Sequence, residues 1–98
     1  MSTALIQNVL GAELPNVDRA EGVWLFDTDG NRYLDGCSGA VVTSIGHSNP
    51  HVIEAMKNQA ERVTYIHRGA FASEAPHHLA GRLADATGYA GVWFVNSG

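Results

Sequence analysis

The sequence predicts a mixed α/β chain, and three observations carry that prediction. An Asp-Gly turn separates two β-prone runs around residue 30. Two amphipathic helical stretches lie between residues 49 and 88. An apolar run at residues 92–95 then enters a glycine turn.

Leu5, Ile6, Val9 and Leu10 give a weak helical start, and Gly11 and Pro15 turn the chain into a loop. Val23-Trp24-Leu25-Phe26 is apolar and β-prone. Asp27-Thr28-Asp29-Gly30-Asn31 supplies turn chemistry, and Arg32-Tyr33-Leu34-Asp35 returns, so a β-hairpin is expected here. Gly36 and Gly39 interrupt the next stretch. Ala40-Val41-Val42-Thr43-Ser44-Ile45 reads either as a third short strand or as an extended segment laid against a site.

Asn49 is the expected N-cap of the first helix, with Pro50 at its first position, where the missing N–H costs nothing. Val52, Met56, Ala60 and Val63 recur at helical spacing, and Ile53 and Ala55 widen the stripe. Glu54, Lys57, Asn58, Glu61 and Arg62 cover the solvated face. Residues 64–72 connect to a second helix that opens at Ser73, with Glu74 and Pro76 in its first turn. Its buried stripe is expected at Leu79, Ala80, Leu83, Ala84 and Ala86, and Gly88 fits the left-handed position that ends it. Val92-Trp93-Phe94-Val95 is expected as a strand. The order reads as α/β or α+β with a sheet left unfinished. Because a buried strand seldom closes a domain, the chain reads as a piece of something longer.

Composition narrows the classes of function. The chain has 98 residues, a formal charge of −4 and only 16% charged residues. That gives no electrostatic footprint for nucleic acid or an anionic membrane. No apolar run approaches the roughly 20 residues of a membrane span, and the first residues lack the pattern of a secretory signal. Hydrophobic residues make up 45% of the chain, which argues against disorder. The lone cysteine, Cys37, excludes an internal disulfide framework and reads as a small buried thiol. A cytoplasmic setting is expected.

Metal chemistry finds little support. Asp27 to Asn31 alternates oxygen ligands as a calcium loop does, but the bidentate glutamate such a loop needs at its twelfth position falls on Ser38. His47 and His51 are four apart, but Pro50 begins the helix between them; His77 and His78 point in different directions on theirs. His47 reads as a turn residue at the helix start. Lys57, the single lysine, reads as a solvated surface residue, so a lysine nucleophile would have to come from elsewhere. Asn96-Ser97-Gly98 has the form in which α/β folds present backbone N–H groups to a phosphate.

Four stretches in order carry a resemblance. Gly22-Val23-Trp24-Leu25-Phe26 through Asp35-Gly36 resembles the early hairpin of the class III aminotransferases, which are pyridoxal-phosphate enzymes of fold type I. Ser38-Gly39-Ala40-Val41-Val42, followed by Gly46-His47-Ser48-Asn49-Pro50-His51-Val52, is similar to the next stretch of that family. Tyr65-Ile66-His67-Arg68 through Phe71-Ala72-Ser73-Glu74-Ala75-Pro76, then Leu79-Ala80 and Arg82-Leu83, resembles its connector and second helix. Phe94-Val95-Asn96-Ser97-Gly98 resembles the start of its phosphate-binding segment. The match covers residues 20–98 in register.

The resemblance implies an α/β fold: the N-terminal fragment of a fold type I transferase. Residues 1–48 would carry the small-domain segment with its hairpin, 49–90 the two helices, and 91–98 the first strand of the large domain and the start of the phosphate turn. Ser97 and Gly98 would hold the phosphate of pyridoxal phosphate. Gly39, Ala40 and Val41 would line the substrate pocket. Where some relatives place large aromatics, Ala40 and Val41 make that wall small and aliphatic. Tyr65, His67 and Arg68 would lie near a subunit interface and the substrate. The implied activity moves an amino group from an amine or amino acid to a 2-oxo acid, in a cytoplasmic homodimer, with no nucleic acid or membrane partner. No catalytic residue is carried over: the cofactor-linking lysine, the carboxylate opposite the pyridine nitrogen and the stacking aromatic have no match. An aminomutase or decarboxylase of the same family is an alternative outcome. A truncated, non-catalytic relative that self-associates through an open strand at 92–95 is another.

Overall fold

The computed structural model describes residues 4–97. They divide into two compact units, the first running to Asn58 and the second starting at Gln59. The first unit is built on an antiparallel sheet of three strands, β1 (Val17–Glu21), β2 (Trp24–Asp27) and β3 (Arg32–Leu34), in that spatial order. The expected hairpin is β2–β3, with Trp24 opposite Leu34, Leu25 opposite Tyr33 and Phe26 opposite Arg32.

β1 is an addition to the sequence expectation. Its Val-Asp-Arg-Ala-Glu run is polar and lacks the alternation that marks a half-buried strand. It forms because Gly22 and Val23 make a two-residue hairpin loop closed by Glu21 opposite Trp24. Gly22 supplies the positive φ, +56°, that such a loop needs. Trp24 and Phe26 share one face of β2, and arginines lie over both. The Arg19 guanidinium sits 3.7 Å from the Phe26 ring centre, and that of Arg32 4.2 Å from Trp24. Arginine guanidinium groups thus cover part of the apolar face where a second layer of side chains would otherwise stand.

After β3, Ser38–Val41 forms a four-residue helical turn, α1, with non-helical backbone at Gly39 and Ala40. The expectation of a strand or extended segment over residues 40–45 is corrected here. The glycines and the hydrogen bonds of Asp35 fold the segment back on itself. Residues 5–10 form bends and a turn rather than a helix, ended by Gly11 at φ +73°.

α2 spans Pro50–Arg62, as the capping signals predict. The Asn49 Oδ1 accepts hydrogen bonds from the backbone N–H of His51 (3.1 Å) and Val52 (3.3 Å). Replacing Asn49 with alanine should therefore cost about 1 kcal/mol of stability, read by denaturant unfolding. In the second unit, α3 spans Glu74–Thr87 and ends at Gly88, which is left-handed at φ +76° and donates its N–H to Ala84 O. Ser73 occupies the N-cap with extended backbone but without a side-chain cap bond.

Two expectations are corrected on burial and pairing. The apolar stripes of both helices form, but neither helix buries a residue: Met56 is 64% exposed and Leu79 50%. A stripe is buried only when another layer packs on it, and the described residues of each unit supply none. Residues 92–95, expected as a strand, are not assigned to one. A strand exists through its ladder, and among the described residues the Phe94 carbonyl is bonded instead by the Arg68 side chain.

Candidate functional site

Two clusters contain the residues singled out from sequence, one in each unit. The first is organised by Asp35, at the exit of β3. Its carboxylate accepts hydrogen bonds from the backbone N–H of Gly39 (3.2 and 3.1 Å to the two oxygens) and of Cys37 (3.3 Å). The His47 Nε2 lies 2.6 Å from Oδ2. A carboxylate at neutral pH only accepts, so Nε2 carries the hydrogen. The Cys37 thiol donates to the Gly39 carbonyl at 2.9 Å. Both backbone polar groups of Gly39 are thereby held. Cys37 is exposed rather than buried, contrary to the sequence expectation, because it lies in this turn and not under the sheet.

The turn so held is strained. Ser38, Gly39 and Val41 have φ of +56°, +72° and +63°. For Ser38 and the β-branched Val41 that region costs on the order of 1–3 kcal/mol each. Val41 is 82% exposed, and Ala40 is exposed beside it. Gly39, Ala40 and Val41 are therefore presented outward on a hydrogen-bonded turn.

His47 is anchored in its turn. Its backbone exchanges two hydrogen bonds with Gly22, Gly22 N to His47 O at 3.0 Å and His47 N to Gly22 O at 2.7 Å. At Gly46 a Cβ would meet the Gly22 carbonyl oxygen at 3.0 Å, and φ is +86°, so this close approach requires glycine. The Ser48 hydroxyl donates to Ala20 O at 2.6 Å. The β1–β2 corner, His47, Asp35 and the 38–41 turn thus form one connected chain of contacts.

The hydrogen bond from His47, followed by that from the Gly39 N–H, lowers the Asp35 carboxyl from 3.8 to about 2. A depressed carboxylate stabilises the folded form above its unfolded value, and that contribution fades as pH falls toward the folded value. Acid titration should therefore weaken this unit between pH 3.8 and about 2. Asp35→Asn should flatten that limb of the stability profile, as followed by circular dichroism.

The second cluster belongs to the connector and residues 92–97. The Arg68 Nη1 donates to the Phe94 carbonyl oxygen at 2.7 Å, and its guanidinium lies 5.9 Å from the Trp93 ring centre. Ile66, Arg68, Phe71, Pro76, Leu79 and Phe94 line an apolar groove of about 390 Å³. Tyr65 is 78% exposed. Ser97 is exposed three residues beyond Phe94; Gly98, the second expected phosphate contact, lies outside the described residues. Lys57 is exposed in the middle of α2.

The resemblance points to Gly39, Ala40, Val41 and Arg68, but not to the turn that carries the first three or to the residues that hold it. In sequence, Asp35 reads as the end of a hairpin and His47 as a turn or helix-start residue. The available signal is an aspartate at the start of a glycine-containing turn, whose short carboxylate can reach the backbone N–H groups two and four residues on, here those of Cys37 and Gly39.

The family described as "Aminotransferase class-III" matches residues 8–98. The chain belongs to that family. It is 46% identical over 81 residues to the acetylornithine aminotransferase of Agrobacterium fabrum, a match covering 83% of this chain and 20% of that protein. Among solved structures, it is similar to the ornithine aminotransferase from Toxoplasma gondii (TM-score 0.76, 32% identity, 88% of this chain and 20% of that one). It is also similar to a taurine:2-oxoglutarate aminotransferase from Bifidobacterium kashiwanohense, in complex with PLP and glutamate (TM-score 0.73, 33% identity, 87% and 18%). The chain spans about a fifth of the length of the curated relatives it matches. Among the described residues, no helix is long and apolar enough to cross a membrane.

Proposed function

We propose that this chain is the N-terminal part of a pyridoxal-phosphate enzyme that moves an amino group from an amine or amino acid to a 2-oxo acid. The observation that carries this is the family match across residues 8–98, joined to the structural likeness to enzymes of that activity.

The fit to the cofactor is partial. Ser97 is exposed and of the right chemistry to donate its hydroxyl to a phosphate oxygen. Lys57 does not fit the carbonyl end: it stands exposed on the charged face of α2, beside Glu54 and Glu61. Bound pyridoxal phosphate supplies the electron sink for the exchange of the amino group. Within this chain, Ser97 and the neighbouring Gly98 hold the phosphate. Arg68 fixes the segment that leads to them, and Gly39, Ala40 and Val41 form a small aliphatic wall for the substrate. The lysine that moves the proton comes from outside the chain.

Domain assignment follows the same reading. Residues 1–48 belong to the small domain, 49–90 lead out of it, and 91–98 open the large domain. The exposed apolar side chains, Val52, Ile53 and Met56 on α2 and Leu79 and Leu83 on α3 among them, support burial of these faces by further chain, and a homodimer belongs to the same family reading. The single cysteine, exposed and unbridged, supports a cytoplasmic setting.

The test is to purify the natural gene product carrying this segment, load it with pyridoxal phosphate and screen amine donors against 2-oxoglutarate, reading glutamate. Donor-dependent glutamate is the expected result. A loaded, folded protein that makes none from ornithine-like, ω-amino or α-amino donors would overturn the proposal.

A further inference from the structure

The strained turn at 38–41 is held by contacts that the family match does not explain. Backbone bonds close it locally, from Val41 N to Cys37 O (3.0 Å) and Val42 N to Ser38 O (3.0 Å). These bonds close a turn but do not select positive φ at Ser38 and Val41. The selecting contact is Asp35, which grips the Gly39 N–H with both oxygens. Asp35 is in turn fixed by His47, twelve residues on. The two side chains are only 6% and 19% exposed. His47 cannot follow a moving turn, because its own backbone is locked to Gly22 at the corner of the sheet.

We propose that Asp35 and His47 are a positioning pair that transmits the rigidity of the sheet to the Gly39-Ala40-Val41 wall, and so sets the affinity for the amino donor. The proposal rests on the reading of residues 39–41 as a substrate wall. Backbone strain of this kind persists only where the surroundings over-determine it, and here the over-determining groups are identified. Neither side chain touches substrate or cofactor in this scheme; both act through Gly39. Loosening the pair lets Ser38 and Val41 relax toward negative φ, which moves the wall while leaving the phosphate segment at Ser97 alone.

The experiment uses the natural gene product carrying this segment, as wild type, His47→Phe and His47→Gln. Gln places an amide N–H near the position of the Nε2–H and is the rescuing variant. Three quantities are read: KM and kcat for the amino donor, cofactor retention by its visible absorbance, and hydrogen exchange of the peptide spanning residues 36–43. His47→Phe should raise KM on the order of tenfold with kcat within about threefold, the pattern of lost uniform binding. Cofactor retention should be unchanged, and residues 36–43 should exchange faster. His47→Gln should return both KM and exchange toward wild type.

Unchanged exchange at 36–43 in His47→Phe overturns the proposal, and so does faster exchange with KM unmoved. If Phe at position 47 prevents folding, Asp35→Asn carries the same test with the same expected directions. If the wild type transfers no amino group, the aminotransferase reading fails separately. The exchange data then decide the pair alone: loosening in His47→Phe that His47→Gln reverses upholds it, and any other pattern overturns it.

Discussion

Replacing Asp27 with alanine should release the turn between β2 and β3 and with it the pairing of the whole sheet. Asp27 is 5% exposed, and its carboxylate accepts from four donors. Oδ1 takes the backbone N–H of Asp29 (3.0 Å) and of Asn31 (2.8 Å). Oδ2 takes the Asn31 side-chain amide (2.9 Å) and the Tyr33 hydroxyl (2.8 Å). The bond from the Asn31 side chain is the main cause holding the carboxyl below its ordinary value, and the bond to Asp27 raises the Tyr33 hydroxyl. Alanine removes the acceptor of all four bonds, each of them made to a charged group; the donors stand on exposed residues and pass to water, so the loss is that of the bonds and of the turn geometry they fix. Hydrogen exchange across residues 24–34 should accelerate on the order of a hundredfold. Asp27→Asn, which keeps one acceptor oxygen, should fall between. Wild-type exchange in the alanine variant would show that the backbone bonds of the turn suffice.

The second large effect is expected at Arg68. Its guanidinium spans the only side-chain hydrogen bond that reaches the 92–95 segment among the described residues. Phe94 lies three residues before Ser97, so a shift of that carbonyl displaces the proposed phosphate contact. A charge-assisted bond contributes more than a neutral one, and Arg68 is exposed, which keeps its worth toward the low end. Arg68→Ala should therefore weaken pyridoxal-phosphate binding on the order of tenfold in the natural gene product. Arg68→Lys should recover part of that, since an ammonium can reach the carbonyl but lacks the planar face over Trp93. Cofactor titration by absorbance checks both. An unchanged dissociation constant would remove Arg68 from the cofactor side of the site.

The features legible in the sequence were local. The hairpin at Asp27–Asn31, the Asn49 cap, the Pro50 start and the Gly88 stop each rest on chemistry within a few residues. The features that escaped it depended on contacts between distant positions. β1 is polar and becomes a strand only through β2. The 92–95 run has strand character but no ladder partner among the described residues. Asp35 and His47 are twelve residues apart, and nothing in their spacing announces a hydrogen bond. Both helical stripes form where the spacing puts them, but the burial expected of the α3 stripe is absent, because burial belongs to whatever packs on it. Gly39, Ala40 and Val41 are reached as a pocket wall through family resemblance, whereas their turn, its strain and the Asp35 and His47 contacts that hold it appear only in the backbone angles and hydrogen bonds.

The central claim is that this chain binds and positions while a lysine from outside it performs the chemistry. The direct measurement is borohydride reduction of the pyridoxal-phosphate-loaded natural gene product, followed by peptide mass mapping of the pyridoxyl group. The expected result is a single modified lysine beyond these 98 residues, with Lys57 untouched. Stoichiometric modification of Lys57 would contradict the claim.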